Sequence, residues 1–199
     1  MKKTILALMV LSAMMLIGTK MSAQTSIGLY HGARAYINSF DGSSENKSDG
    51  AYIGGISFEQ NLRGRVLGLS VGADLGLAAK NDFMDVKDAT LLESYLDIPV
   101  RAKLFIPFGS GADFSIFAGG GPSFCLSSNT KIGDADPVKN LSDEGYQSFD
   151  ILIGAGIGLD IIKHIKLALS FDFGILDRNK SDMIETHSGV LKFTTAYIF

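Results

Sequence analysis

Between Ser148 and Asp177 the residues sort by parity. Odd positions carry Phe149, Ile151, Ile153, Ala155, Ile157, Leu159 and Ile161, then Ile165, Leu167, Leu169, Phe171, Phe173 and Ile175. The even positions between them carry Asp150, Leu152, Gly154, Gly156, Gly158 and Asp160, then Lys166, Ala168, Ser170, Asp172, Gly174 and Leu176. A strand sends alternate side chains to opposite faces, so the pattern predicts two long strands, each with one greasy face and one small or charged face. Ile162-Lys163-His164 is the expected hairpin turn.

The strands exceed the usual five or so residues of soluble sheets and meet the ~9–11 residues of a transmembrane β-strand. Glycine, serine and opposed charges supply too little apolar volume for a sandwich core, whereas they suit the crowded interior of a narrow barrel. The oily face must then meet lipid or a second sheet. With Ile161 paired to Ile165, Asp160 falls opposite Lys166 on the inner face and is expected to form an ion pair with it.

The same period recurs along the chain. Expected strands run over Ser26 to Ile37, Gly50 to Asn61, Val66 to Ala79, Leu92 to Ile106, Asp113 to Leu126 and Glu185 to Phe199, in addition to the two above. Polar or glycine-bearing connections separate them: Asn38 to Asp49, Arg63-Gly64-Arg65, Lys80 to Asp88, Pro107 to Ala112, Ser127 to about Tyr146, and Arg178 to Met183. The expected fold is all-β, an eight-stranded antiparallel up-and-down transmembrane β-barrel, because connections alternating long and short are what an outer-membrane barrel requires. Pro99 also argues against a central strand of a soluble sheet. Tyr52, Tyr95, Phe124, Tyr146 and Phe173 are expected near the loop ends, and Phe58, Phe108, Phe114 and Tyr197 near the turn ends, as two aromatic belts. His31 falls on the apolar parity of the first strand; a bulge or the opposite parity would explain it, and the sequence leaves both open.

The chain opens with Met1-Lys2-Lys3, an apolar stretch from Thr4 to Gly18, and a small Ala23 before Gln24. That is the form of a secretory signal peptide, shorter than the ~20 residues of a spanning helix, so residues 1–23 are expected to be cleaved and residues 24–199 to form the exported barrel domain. At 46% hydrophobic residues and a net charge of -3, the chain is neither disordered nor basic enough to hold nucleic acid. The one cysteine, Cys125, allows no internal disulfide and reads as a small inward filler.

Several stretches resemble the PorT-like outer-membrane β-barrel family of Bacteroidetes. Glu93-Ser94-Tyr95-Leu96-Asp97-Ile98-Pro99-Val100 is similar to its Tyr-Leu-acid-Ile-Pro strand, and Phe117-Ala118-Gly119-Gly120-Gly121-Pro122 to the strand that follows. Phe149-Asp150 with Gly154-Ala155-Gly156-Ile157-Gly158-Leu159 is similar to its glycine-alternating strand. Tyr197 and the terminal Phe199 resemble the signal read by the barrel-assembly machinery, which the resemblance implies as a partner during biogenesis. The likeness implies an outer-membrane location, contact with membrane lipid, and partners among envelope or secretion proteins. The named member is linked to type IX secretion, and no residue here carries that role over.

Four sets of residues could carry chemistry. Gly154-x-Gly156-x-Gly158 has no following helix and so reads as lumen packing rather than a dinucleotide loop. Asp134, Asp136, Asp143 and Glu144 lie with Pro137 and Lys139, which spoil a calcium loop, so no metal and no cofactor is expected. A lipid-modifying enzyme on the same scaffold would use His187, Ser188 and Glu185, but adjacent strand residues point to opposite faces, so no catalytic residue is assigned. The inner faces should hold Arg34, Glu59, Asp74, Asp97, Arg101, Lys103, Asp150, Asp160, Lys166, Asp172 and Lys192. Eight strands leave an interior only as wide as the side chains, which favours a packed salt-bridge network over a pore. The resulting expectation is a non-enzymatic barrel acting through outer loops or rim partners. The alternatives are the enzyme just described and a soluble lipocalin-like periplasmic carrier with its oily residues inward.

Overall fold

A computed structural model describes residues 22–40, 46–64, 66–81, 87–108, 111–141, 147–161, 164–179 and 184–199. They form β1 (Ser22–Phe40), β2 (Asn46–Arg63), β3 (Leu67–Asn81), β4 (Ala89–Asp97), β5 (Val100–Phe108), β6 (Ala112–Ile132), β7 (Val138–Lys139), β8 (Phe149–Ile161), β9 (Ile165–Gly174) and β10 (Ile184–Ile198). Every pairing is antiparallel, and the ladder returns to its start. β1 lies between β2 and β10, β9 between β8 and β10, and β6 joins β8 to the β4–β5 side. β3 joins β2 to that same side. A sheet closed in this way has no edge left to pair with another chain.

β4 and β5 lie end to end between β3 and β6 without a change of register. Asp97 faces Asp74 and Ser123, and Val100 faces Val71 and Gly120. The interruption is chemical. Pro99 has no N–H to give Gly72, although the Gly72 amide still donates to the Pro99 carbonyl at 2.8 Å. Pro122, on the neighbouring strand, accepts from the Ile98 amide at 2.9 Å and returns nothing.

The greasy parity faces outward. Ile157 and Phe171 are exposed while Asp160 and Asp172 are buried inside the ring, so the carrier arrangement with oily residues at the centre is not adopted. His31 also faces outward, with no register shift in β1, so neither the bulge nor the reversed parity explains it. One of the expected belt residues is misplaced: Tyr95 is fully buried in the lumen, because it shares parity with Glu93 and Asp97. Tyr146 lies outside the described residues.

The strands outrun the sequence expectation at the loop end. β1 and β2 take up most of the stretch from Asn38 to Asp49, and β6 continues to Ile132, six residues into the expected long loop. Polarity there marks the water boundary and not the end of the ladder, since neighbouring strands still satisfy the backbone. Gly133, at a left-handed φ of 54°, then turns the chain back into β7. At the other end the turns are tight, with the Gly64 amide donating to Leu67 O at 2.8 Å and the His164 amide to Ile161 O at 3.2 Å. The expected signal peptide lies outside the described residues up to residue 21, and β1 includes its last two, Ser22 and Ala23, paired with Arg63 and Leu62.

Inside the ring the packing is layered. Toward the loop end Ala51, Ile53, Ala78, Ala89, Leu91 and Val190 join Tyr30, Tyr36 and Tyr95 in an apolar cluster. Tyr30 lies along the wall toward Tyr95 because the neighbouring strands β2 and β3 carry Gly55 and Gly76 in its row, where a Cβ would collide with its hydroxyl. Gly76→Val should therefore destabilise the barrel by about 1–3 kcal/mol, the usual cost of overpacking. Leu75→Val, on the outward face of the same strand, should be close to neutral. Urea-unfolding midpoints of the detergent-solubilised protein, read by heat-dependent gel mobility, test the difference.

Candidate functional site

The interior below the apolar cluster is built from charges supplied by strands on different walls. Asp74 and Asp97 are direct partners across β3 and β4, a like-charge pair that would repel if left alone. Lys192 reaches across from β10 and donates to Asp74 Oδ2 at 2.9 Å and to Asp97 Oδ2 at 2.8 Å. The other oxygen of Asp97 accepts from Ser123 Oγ at 2.6 Å and lies 3.5 Å from Arg34 Nη2. Arg34 in turn sits with its guanidinium 4.1 Å from the centre of the Tyr95 ring, whose hydroxyl accepts from Tyr30 at 3.2 Å.

Two further sets lie nearby. Arg101 Nη2 donates to both oxygens of Asp172, at 3.1 and 2.9 Å. Nearer the short turns, Glu59 accepts from both Lys103 and Lys166. Asp160 is the register partner of Lys166, as the sequence led one to expect, but the Lys166 ammonium binds Glu59 instead. The reason is reach, since a lysine in a narrow lumen spans to the far wall. Asp160 has Arg63 at 3.9 Å, and Arg63 donates to Asp113 at 2.7 Å. Between the Glu59 and Lys192 layers lies a cavity of about 30 Å³ lined by Ser57, Ser70, Asp74, Arg101, Lys166 and Ser170. It has room for roughly two waters and no more.

Asp150 stands apart from these ion pairs. Its carboxylate accepts from Ser188 Oγ at 3.1 Å and from the amides of Ile151 and Leu176 at 2.7 and 3.2 Å. At the same end Glu93 accepts from the Tyr36 hydroxyl and lies 3.6 Å from Arg178. Arg178 sits beyond the strands with its pKa raised; burial works against its charge, and Glu93 is the chief opposing influence. Glu93 was legible from its parity with Asp97, whereas Arg178 sits in a connection where no period operates. Arg63 was hidden by its assignment to a turn, and Asp113, at the start of its expected strand, was not counted among the inner-face charges.

Among the described residues no catalytic arrangement assembles around His187. Its Nδ1 donates to the Gly174 carbonyl at 3.1 Å on the outer wall, while Ser188 points inward to Asp150. Among the described residues no group of three or more His, Cys, Asp or Glu is placed to hold a metal, and the Asp134–Asp136 stretch is exposed. Cys125 is buried, with its thiol 3.5 Å from Ser127 O.

At the rims, Phe124 meets Phe149 at 5.4 Å and Phe173 stacks on His187 at 5.6 Å. At the opposite end His164 stacks on Tyr197 at 5.7 Å, and Tyr197 meets Phe199 edge-on at 5.0 Å. The last strand is latched there, since Ile198 N donates to His164 O at 2.7 Å and Phe199 N to Thr25 O at 2.8 Å.

Residues 22–178 match the model of a family described as the outer membrane protein beta-barrel domain. The chain is similar to the crystal structure of Neisserial surface protein A, at 13% identity and a TM-score of 0.51 over 89% of this chain and 99% of that one. It is also similar to Ail, the attachment invasion locus protein of Yersinia pestis, solved with the heparin analogue sucrose octasulfate, at 11% identity and a TM-score of 0.46 over 88% and 99% of the two chains. A third likeness is to the outer membrane enzyme PagL, at 12% identity and a TM-score of 0.40 over 82% and 97%. At these identities the likeness is one of fold. No curated protein matches the chain.

Lys192→Met should leave Asp74 and Asp97 buried without their shared cation, costing about 3–5 kcal/mol. Asp160→Ala, which leaves Lys166 on Glu59, should cost clearly less than Glu59→Ala. Unfolding midpoints of the three variants in one detergent would show the order.

Proposed function

The chain belongs to the outer membrane protein beta-barrel domain family and is an integral outer-membrane protein, and from that premise we propose a non-enzymatic barrel that acts through its extracellular loops or through partners at its rims. In this reading the barrel has eight staves, with β4 and β5 counted as one and the two-residue β7, which pairs only with β6, left out. The observation that supports it most is the filled lumen. Lys192, Arg34, Asp74 and Asp97 are buried against one another across its middle, so no metabolite-sized ligand fits the interior. What remains for recognition is the end that carries the long connections.

The long connections lie between β1 and β2, β3 and β4, β6 and β8, and β9 and β10, and the short ones at the other end. Outer-membrane barrels keep brief turns in the periplasm and extended loops outside, which supports the orientation proposed here. Further parts of the reading rest on the sequence. Residues 1–23 are taken as a cleaved signal peptide preceding a barrel domain of residues 24–199, and Tyr197 and Phe199 as the mark read by the barrel-assembly machinery. The lumen charges Arg34, Glu59, Asp74, Asp97, Arg101, Lys103, Asp160, Lys166, Asp172 and Lys192 stiffen the wall rather than conduct, and Asp150 ties β8 to the rim. Kinship to the PorT-like group, and with it an accessory part in protein secretion, rests on the motif from Glu93 to Val100 and its companions.

Fractionation and conductance test this reading. The protein should stay in the outer-membrane pellet through a carbonate wash, and the purified barrel should leave planar bilayers closed. Steady porin-like conductance would count against the filled lumen. Removing residues 133–137, the turn between β6 and β7, should leave the heat-modifiable barrel intact while abolishing partner adducts formed by crosslinking intact cells.

A further inference from the structure

His31 is out of place on the outer wall. Tyr197 and Phe58, aromatic residues of the short-turn end, both pair with Ile27, four residues below it on β1; His187, at the opposite rim, pairs with Ile37, six residues above. At ~3.3 Å per residue and a tilt of ~40°, the imidazole therefore lies about 10 Å from one boundary and about 15 Å from the other, near the middle of an apolar band about 25 Å tall. It is exposed, and neither ring nitrogen has a hydrogen-bond partner among the described residues. Phe193 and Tyr52 flank the ring, with centroids at 5.4 and 6.5 Å.

A neutral imidazole carries one N–H donor and one bare nitrogen acceptor. Acyl chains offer neither, and at this depth lipid headgroups are out of reach. The surface around the ring is recessed as well. On β2 its register partner is Gly54, and above it on β1 stand Ala33 and Ala35. A Cβ built on Gly54 would sit in ordinary van der Waals contact, 3.7 Å from Tyr30 O and 3.9 Å from the Tyr52 ring, so the position has room for a side chain that is not there.

We propose that this notch is the contact surface between two copies of the chain in the membrane. Copies inserted in the same orientation carry His31 at the same depth, so a two-fold axis along the membrane normal brings the two rings together. The N–H of one then donates to the bare nitrogen of the other, one hydrogen bond across the contact. Gly54 and Ala33 let the two walls approach closely, as small residues do where membrane segments pack. An arbitrary apolar partner would leave the imidazole unsatisfied, whereas a second copy supplies the complementary atom at the matching level.

Ala33→Cys in a Cys125→Ser background, treated with a short bismaleimide in native outer membranes, should give an adduct of twice the chain mass. Ile116→Cys, facing outward on β6 at the opposite side of the ring, should not. Adding His31→Leu should lower the adduct yield by about three- to tenfold, the span of one hydrogen bond between membrane segments. Heat-dependent mobility verifies insertion of that variant. Gly54→Leu, which fills the notch from a position with room for a side chain, is the second arm and should lower the yield as well. No adduct at position 33, equal adducts at positions 33 and 116, an adduct of another mass, or yields untouched by both His31→Leu and Gly54→Leu would overturn the proposal.

Discussion

The structure turns on the placement of Lys192 between Asp74 and Asp97. Two carboxylates facing each other across neighbouring strands repel, and in a dry lumen they would also lose their hydration. One ammonium from the far wall offsets both. This contact spans the ring from β10 to β3 and β4, so it forms only when the sheet is closed. Ser123 and Arg34 complete the shell of Asp97 from β6 and β1. Five strands thus meet at one buried charge cluster, which ties closure of the wall to charge pairing within it.

The remaining layers follow from the same geometry. A narrow ring cannot be filled by glycine and serine alone, and it cannot leave charges without partners. Toward the short turns Glu59 serves two lysines, and toward the loops the interior becomes apolar, with Ile53, Leu91 and Val190 packed on three tyrosines. The glycines take the strand positions where those tyrosines cross. Outside, lipid requires only that the wall be greasy and that its backbone be paired, and His31 departs from the first requirement.

Much of this was legible in the chain. The parity of Ile151 to Ile175 specified strand, length and facing, because one face of a barrel wall meets lipid and the other meets charge. The register of Asp160 against Lys166 was correct, yet the ion pair was not, since register describes neighbours along the wall and a lysine can also reach across it. Tyr95 was assigned to a belt from its type alone; its parity with Asp97 placed it inside. Polar Ser127 to Lys131 read as loop, although the ladder continues there, because side-chain polarity follows the water boundary while strand pairing follows the backbone.

An alternating period is local information, carried by neighbours two residues apart, and for that reason the chain by itself determined that this protein is made of long two-faced strands with its charges kept on one face. Which charges meet is a matter of distances between residues on opposite walls. Lys192 lies 118 residues from Asp74 and Lys166 lies 107 from Glu59, separations that no period spans. Only closure of the ring decided those partners, put an apolar layer of Ile53, Leu91 and Val190 at the loop end of the lumen, and left His31 turned toward lipid beside Gly54.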